Sequence, residues 1–133
     1  MLDRETLARH LAALGWTAAA HGPKTMRSVH TTAEGEVVVF LRITDNWLVA
    51  SVVPFLPTRG DISFELSRWL LRQTRDMQQA KFAYDEDGDV VLTVELPTES
   101  LDFGELRTAL EELLRQTVRH RTTLREAAEA SRP

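Results

Sequence analysis

The chain of 133 residues contains no cysteine, which excludes disulfide bonds, thiolate nucleophiles and cysteine-ligated zinc sites. It also has no apolar run near the roughly 20 residues that a membrane-spanning helix requires. The first ten residues, MLDRETLARH, carry charges at positions 3, 4 and 5 and lack a long apolar core, so we expect no signal peptide. These absences together predict a cytoplasmic protein without a membrane partner.

The charge of the chain gives no sign of a nucleic-acid partner. The formal net charge is -4, and acidic and basic residues are mixed along the sequence without a polybasic segment. Because proteins bind nucleic acids chiefly through clustered Lys and Arg, we expect no such partner here. The hydrophobic content of 43% and charged content of 27% are typical of a globular domain with one core.

The spacing of apolar residues predicts one α+β domain over residues 1–124, with the element order α-β-β-β-α-β-β-α. We expect helices over 3–14, 62–77 and 102–124, capped by Asp3, by Asp61 or Ser63, and by Asp102. Three strands over 24–31, 36–43 and 47–55 form an antiparallel meander that Pro54 and Pro57 end. Residues 125–133 have little to bury and are expected to fray.

The segment FAYDEDGDVVLTVELP, residues 82–97, surrounds one glycine with four acidic residues. Apolar residues alternate on both sides of Asp87-Gly88, a pair that favours a type I′ hairpin turn with positive φ at both positions. An EF-hand calcium loop would place Gly88 sixth, which puts Ala83 at position 1 and Val94 at position 12, where neither can ligate. The sequence therefore predicts a hairpin, with a weak cation site as the alternative.

The sequence offers no pattern of catalytic, cofactor-binding or metal-ligating residues. The four histidines do not pair at H-x-x-x-H spacing, and no G-x-S-x-G elbow or glycine-rich phosphate loop is present. His10 and His120 lie near their helices' apolar stripes, where packing at the edge of the core is the favoured role. We predict a protein that is not an enzyme. A small enzyme whose site assembles only in space, or a structural subunit of a larger assembly, is the alternative.

Apolar residues that point away from the predicted core are candidates for a protein interface. The second helix buries a stripe that includes Leu66, Trp69 and Leu70, while Phe64 and Leu71 lie one heptad apart on the opposite side. The second and third strands are apolar on both faces, so a sheet covered by helices on one face would expose some of their residues. Cover by neighbouring elements is the alternative. The interface candidates are Phe64, Leu71, Val38, Phe40 and Val52.

The second half of the chain resembles a known bacterial fold. A helix leads through DMQQ, residues 76–79, into AKFAYDEDGDVVLTVELP, residues 80–97; a short acidic spacer and the helix FGELRTALEELLRQTVRH, residues 103–120, follow. This order resembles the type III secretion chaperone-like fold, which includes the secretion chaperones and YbjN-like domains. Asp76 stands near the position where the YbjN-like pattern usually has asparagine.

The resemblance implies binding rather than chemistry. Secretion chaperones are homodimers that hold an unfolded stretch of a client protein against apolar grooves, and the family offers no catalytic residues to carry over. The resemblance therefore implies a non-catalytic protein-binding module, a homodimer with a client or regulatory protein as partner, and no cofactor.

Overall fold

The computed structural model describes residues 2–130 of the chain. Over these residues, no helix is both long enough and apolar enough to cross a membrane. The elements in chain order are α1 (Arg4–Ala13), β1 (Ala18–Ala20), β2 (Thr25–Thr32), β3 (Gly35–Ile43), β4 (Trp47–Leu56), α2 (Phe64–Asp76), β5 (Ala80–Tyr84), β6 (Val90–Pro97) and α3 (Phe103–Ala130).

The strands form one antiparallel sheet in the order β1-β2-β3-β4-β6-β5, which confirms the predicted α+β class. The predicted meander is β2, β3 and β4. β6 pairs with β4 and separates it from β5, so β5 becomes an edge strand. The short strand β1 was not predicted, because its three alanines have low β propensity and form a strand only through pairing with β2.

The hydrophobic core lies on one face of the sheet, and all three helices contribute side chains to it. The register aligns inward-facing residues of neighbouring strands: Val39 pairs with Val52, and Val52 pairs with Leu92. Leu7 of α1, Leu70 of α2 and Leu110 of α3 belong to the same buried cluster. The opposite face of the sheet therefore has no helix of the described chain packed into a core against it.

Each helix begins at a side-chain cap. The Asp3 carboxylate accepts a hydrogen bond from Thr6 N at 2.8 Å, and the Asp102 carboxylate accepts one from Glu105 N at 2.7 Å, as the sequence predicted. For α2 the cap is Ser63 rather than Asp61, because the Ser63 hydroxyl accepts from Leu66 N at 3.0 Å. The helix therefore begins at Phe64, two residues later than expected.

Pro54 does not end the third predicted strand, and this expectation was wrong. β4 continues through Pro54 to Leu56, and its pairing with β6 shifts register between Val52 and Leu56. A proline is tolerated at such an irregularity because its missing N–H leaves no ladder bond unmade there. Pro57 follows the last residue of the strand, where a proline was expected.

The last helix is longer than the sequence predicted. α3 continues to Ala130 rather than ending at Leu124, so residues 125–130 of the tail that was expected to fray are helical here; residues 131–133 of that tail lie outside the described residues. Arg125 forms an ion pair with Glu34 at 2.9 Å, and this contact lowers the pKa of the Glu34 carboxyl. Arg121 donates hydrogen bonds to three backbone carbonyls, those of Glu36, Pro54 and Phe55. These contacts hold the end of the helix against the sheet.

Candidate interaction surface

The acidic hairpin uses its carboxylates to build the turn. The Asp85 carboxylate accepts hydrogen bonds from Asp87 N at 2.9 Å and Asp89 N at 3.0 Å. Gly88 has a φ of +79°, as predicted, but Asp87 does not have a positive φ, so the predicted type I′ turn was wrong. Gly88 N donates to Asp85 O, and Asp85 N donates to Asp89 O, which closes a three-residue loop.

The hairpin turn also anchors the loop before α2. The Gly88 carbonyl accepts from Gly60 N at 2.9 Å and from the Thr58 hydroxyl at 2.6 Å, while the Asp89 carboxylate accepts from Arg59 N at 2.7 Å. Two of the four acidic side chains thus serve backbone N–H groups. Across residues 2–130, no three His, Asp or Glu side chains come together as a metal-binding group.

The four histidines each pack against an aromatic ring. His120 is almost fully buried, with the rings of Trp69 and Phe82 at 5.6 and 5.4 Å. Burial, followed by the charge of Arg119, lowers the pKa of His120. Within the described part of the chain, its Nε2 has no hydrogen-bond partner. The other ring contacts are His10 with Phe103, His21 with Phe40, and His30 with Trp16. The packing role predicted for His10 and His120 is confirmed.

One hydroxyl–imidazole pair resembles a nucleophile and its base, but its hydroxyl does not donate a hydrogen bond to the imidazole. Ser28 Oγ lies 2.9 Å from His30 Nε2, and the same Oγ donates to the Thr17 carbonyl at 3.1 Å. Because the single hydroxyl proton is already given to Thr17, the imidazole is the donor in this pair. Ser28 is buried, and no carboxylate of the described residues bonds to His30. The pair therefore supports the local fold.

The exposed Leu71 side chain of α2 lines a groove at the β5 edge of the sheet, and Phe64 lies one heptad before it on the same side of the helix. Phe64 is 75% exposed and Leu71 is 73% exposed, which confirms the predicted phase of the helix. The Ser67 hydroxyl lies 3.2 Å from the Tyr84 hydroxyl, and Phe82 N donates to the Thr74 hydroxyl at 3.4 Å. The groove, about 200 Å³ in volume, is called the α2–β5 groove and is lined by Ser67, Leu70, Leu71, Thr74, Phe82, Ala83 and Tyr84.

The face of the sheet opposite the core is a second exposed apolar surface, which we call the outer sheet face. Val38 and Phe40 are half-buried on it, with Val29 paired beside Val38. Arg27 and His21 partly cover the Phe40 ring. Val52 was wrongly assigned to this surface. It is fully buried in the core, because strand alternation turns Val52 inward and its neighbours outward.

The sequence missed some of the residues that complete these surfaces. Tyr84 and Trp47 are nearly half exposed, and Val29 is exposed on the outer sheet face. Tyr84 follows Phe82 at period two, a signal that places the two side chains on the same face of β5. The edge position of β5, which leaves Tyr84 beside α2, depends on the pairing of β6 with β4 and has no local signal.

Three solved structures share the fold. A chain of the heterodimeric ExoU–SpcU complex from the type III secretion system of Pseudomonas aeruginosa is 20% identical, with a TM-score of 0.60 over 90% of this chain and 93% of that one. YbjN from E. coli, a putative transcription regulator, is 13% identical, with a TM-score of 0.67 over 94% and 92%. The structure of the Yersinia pestis type III secretion chaperone SycH with a fragment of YscM2 contains a chain 21% identical, with a TM-score of 0.53 over 84% and 93%.

These likenesses confirm the resemblance to type III secretion chaperones and YbjN that the sequence predicted. Among curated proteins, none matches the chain well enough in sequence to count as a relative. The model of the Tir chaperone protein (CesT) family matches residues 26–121. Because that match spans well over half of the sequence, the chain belongs to the Tir chaperone protein (CesT) family.

Proposed function

We propose that this chain is a cytoplasmic, non-catalytic homodimer that binds a partner protein through apolar surface. Its family is one of chaperone proteins. Similar chains occur in complexes of two different proteins, ExoU with SpcU and SycH with a fragment of YscM2. The observation that carries the proposal is the α2–β5 groove, beside which two large apolar side chains are about three-quarters exposed.

Burial of the exposed apolar side chains of α2 in a contact would stabilise the complex. Burying Phe64 and Leu71 would contribute about 1.5–3 kcal/mol each from the removal of apolar surface from water. Tyr84 lies on the same side of the sheet edge and offers a flat ring with a polar end, which suits an interface. A second copy presents the same groove, so a two-fold axis through it would bury both sets of side chains at once.

In this proposal, the outer sheet face binds the partner protein. Val38 and Phe40 lie there beside Val29, and the dimer contact at the other edge of the sheet leaves them accessible. A contiguous apolar surface of this kind suits a segment of a client protein. Val52 is excluded from the contact because it lies in the core.

The dimer is tested by placing charges on the exposed apolar pair. Wild-type protein should run as a dimer in light scattering at high micromolar concentration. Phe64→Asp with Leu71→Asp should give a folded monomer, because both side chains are exposed in the single chain. The control is Val29→Asp with Trp47→Asp, which places the same charges at exposed apolar positions away from the groove and should leave the dimer intact.

Two results would contradict the proposed dimer. A wild-type protein that is monomeric at high micromolar concentration would show that the groove does not hold a second copy. A double variant that unfolds, judged by circular dichroism, would show that Phe64 and Leu71 support the core rather than an interface.

A further inference from the structure

One corner of the outer sheet face is positively charged although the chain as a whole is acidic. The formal net charge is -4, yet residues 6–33, which include β1 and β2, contain no Asp or Glu. Arg27 of β2 and Arg42 of β3 are exposed on this face. Lys24 is exposed at the same end of these strands, where its carbonyl accepts a hydrogen bond from Ile43 N at 2.8 Å.

The two arginines flank the half-buried ring of Phe40, and we call Arg27, Phe40 and Arg42 the basic corner. Arg27 is paired directly with Phe40 across β2 and β3, and its guanidinium carbon lies 6.0 Å from the centre of the ring. Arg42 follows Phe40 by two residues, so strand alternation places it on the same face. The ring of His21 packs against Phe40 at 5.1 Å. An apolar side chain is thus held between two cations.

Glu95 is an acidic residue of the outer sheet face, but it has a cation of its own. Its carboxylate forms an ion pair with Lys81 at 3.4 Å. Val49 stands between Arg42 and Glu95 in the register of the sheet, which separates their backbones by two strand spacings, about 10 Å. The Lys81–Glu95 pair is therefore neutral as a whole and lies to one side of the basic corner.

The other acidic residues near the basic corner form no ion pair with its arginines. Glu36 lies four residues before Phe40, about 13 Å away along β3. Asp45 lies in the turn that follows β3. Within residues 2–130, neither Arg27 nor Arg42 forms an ion pair with any carboxylate. The basic corner therefore keeps its positive charge in the single chain.

This charge affects which segments the outer sheet face binds. Exposed arginines are stable in water, so the basic corner needs no partner in order to fold. A segment that packs an apolar side chain on Phe40 brings its neighbouring side chains close to both guanidinium groups. Carboxylates there would be attracted and cations repelled, which gives selectivity among segments of similar hydrophobicity. The planar guanidinium group also matches the geometry of a carboxylate.

We infer that the segment of the partner protein which binds the outer sheet face is acidic, with apolar side chains on Phe40 and Val38 and with Asp or Glu side chains against Arg27 and Arg42. The inference rests on the proposed binding of a partner at this face and adds the chemistry of its segment. Val38, Phe40 and Arg42 succeed one another at intervals of about 7 Å along β3. An extended segment has the same spacing between alternate residues, so a carboxylate two residues from an apolar side chain fits this row.

Selection from a phage-displayed library of random 12-residue peptides tests the inference. Peptides selected on the wild-type protein should be enriched in Asp and Glu beside large apolar residues, relative to the unselected library. Peptides selected on Arg27→Gln with Arg42→Gln should keep the apolar residues and lose the enrichment in acidic ones. The matched control is Arg72→Gln with Arg75→Gln, which removes two exposed positive charges from α2 and should leave the enrichment unchanged.

Affinity measurements on one synthetic acidic peptide from the wild-type selection give a second test. In isothermal titration, its affinity for Arg27→Gln with Arg42→Gln should be about fivefold lower than for the wild type. Raising NaCl from 0.05 to 0.5 M should weaken binding to the wild type by a similar factor and change binding to this variant little. Circular dichroism checks that each variant is folded, and the salt titration of the wild type depends on no variant.

The outcomes that overturn the inference are distinct from those that overturn the proposed function. Selected peptides that are apolar without acidic residues, or acidic peptides that bind the Arg27→Gln with Arg42→Gln variant as tightly as the wild type, would refute the role of the basic corner. If Val29→Asp abolished binding of such peptides, the outer sheet face would still be the site for a partner. A selection that enriched no peptide would refute both.

Discussion

Replacing Gly88 with alanine tests whether the hairpin turn and the loop before α2 form one unit. Gly88 has a φ of +79°, and a Cβ added there would lie 2.4 Å from Gly60 N and 2.8 Å from Gly60 Cα. Both neighbours are backbone atoms, so a side-chain rotation cannot relieve the clash. The loop must move away from the hairpin, which breaks the hydrogen bonds that Gly60 N and the Thr58 hydroxyl donate to the Gly88 carbonyl.

The expected loss of stability follows from these two contributions. A left-handed conformation costs a non-glycine residue about 1–2 kcal/mol. Each lost hydrogen bond costs about 0.5–1.5 kcal/mol. Gly88→Ala should therefore lower the free energy of unfolding by about 2–5 kcal/mol, measured by urea denaturation.

Gly15 provides a matched control, because its φ of +81° is nearly the same and a Cβ there would meet nothing within 4 Å. Gly15→Ala should cost only the conformational strain of about 1–2 kcal/mol. The difference between the two variants measures the contact between the hairpin and the loop. Equal losses would refute the claim that this contact contributes to stability.

Two further predictions concern titration and metal binding. Burial lowers the pKa of His120, so the unfolded chain takes up a proton at this residue more readily than the folded chain. The free energy of unfolding should therefore fall as the pH drops below about 6.5. In urea titrations from pH 8 to 5, His120→Gln should make the free energy of unfolding less dependent on pH. His30 shows the same effect of burial, so part of the slope should persist, and an unchanged slope would contradict the assignment to His120. Calcium should leave the melting temperature unchanged because the Asp85 and Asp89 carboxylates already serve backbone N–H groups; a clear shift at sub-millimolar calcium would show a cation site.

The sequence predicted the elements whose periodicity is strong. In α2, the spacing of Leu66, Trp69 and Leu70 determines which side of the helix faces the core, and the exposure of Phe64 and Leu71 follows from it. In Val90–Pro97 the alternation was also correct, since Val90, Leu92, Val94 and Leu96 are all buried in the core. A regular pattern carries this information because apolar residues recur on the same side of the helix or strand over several turns or residues.

The sequence could not decide the facing of a strand that is apolar on both sides. β4 reads WLVASVVPFL, in which Ser51 is the single polar residue, so its two faces are only weakly distinguished, and Val52 was placed on the wrong one. Its facing depends on the register with β3 and β6, which the local sequence does not encode. The turn type failed for a similar reason: the Asp85 carboxylate selects the three-residue loop, and this side-chain contact overrides the preference of Asp87-Gly88 for type I′.

The position of β6 between β4 and β5 has a consequence for folding while the chain is synthesised on the ribosome. Val52 and Leu92 pair across the sheet although roughly forty residues separate them, so that pairing must wait until the second half of the chain has been synthesised. Until then, the meander of β2, β3 and β4 presents one long apolar strand edge, and such an edge invites pairing between nascent chains. The interval between the emergence of Leu56 and that of Pro97 is therefore when misassembly is most probable, and crowded synthesis of this protein should yield aggregates that form during translation rather than by unfolding of the finished molecule.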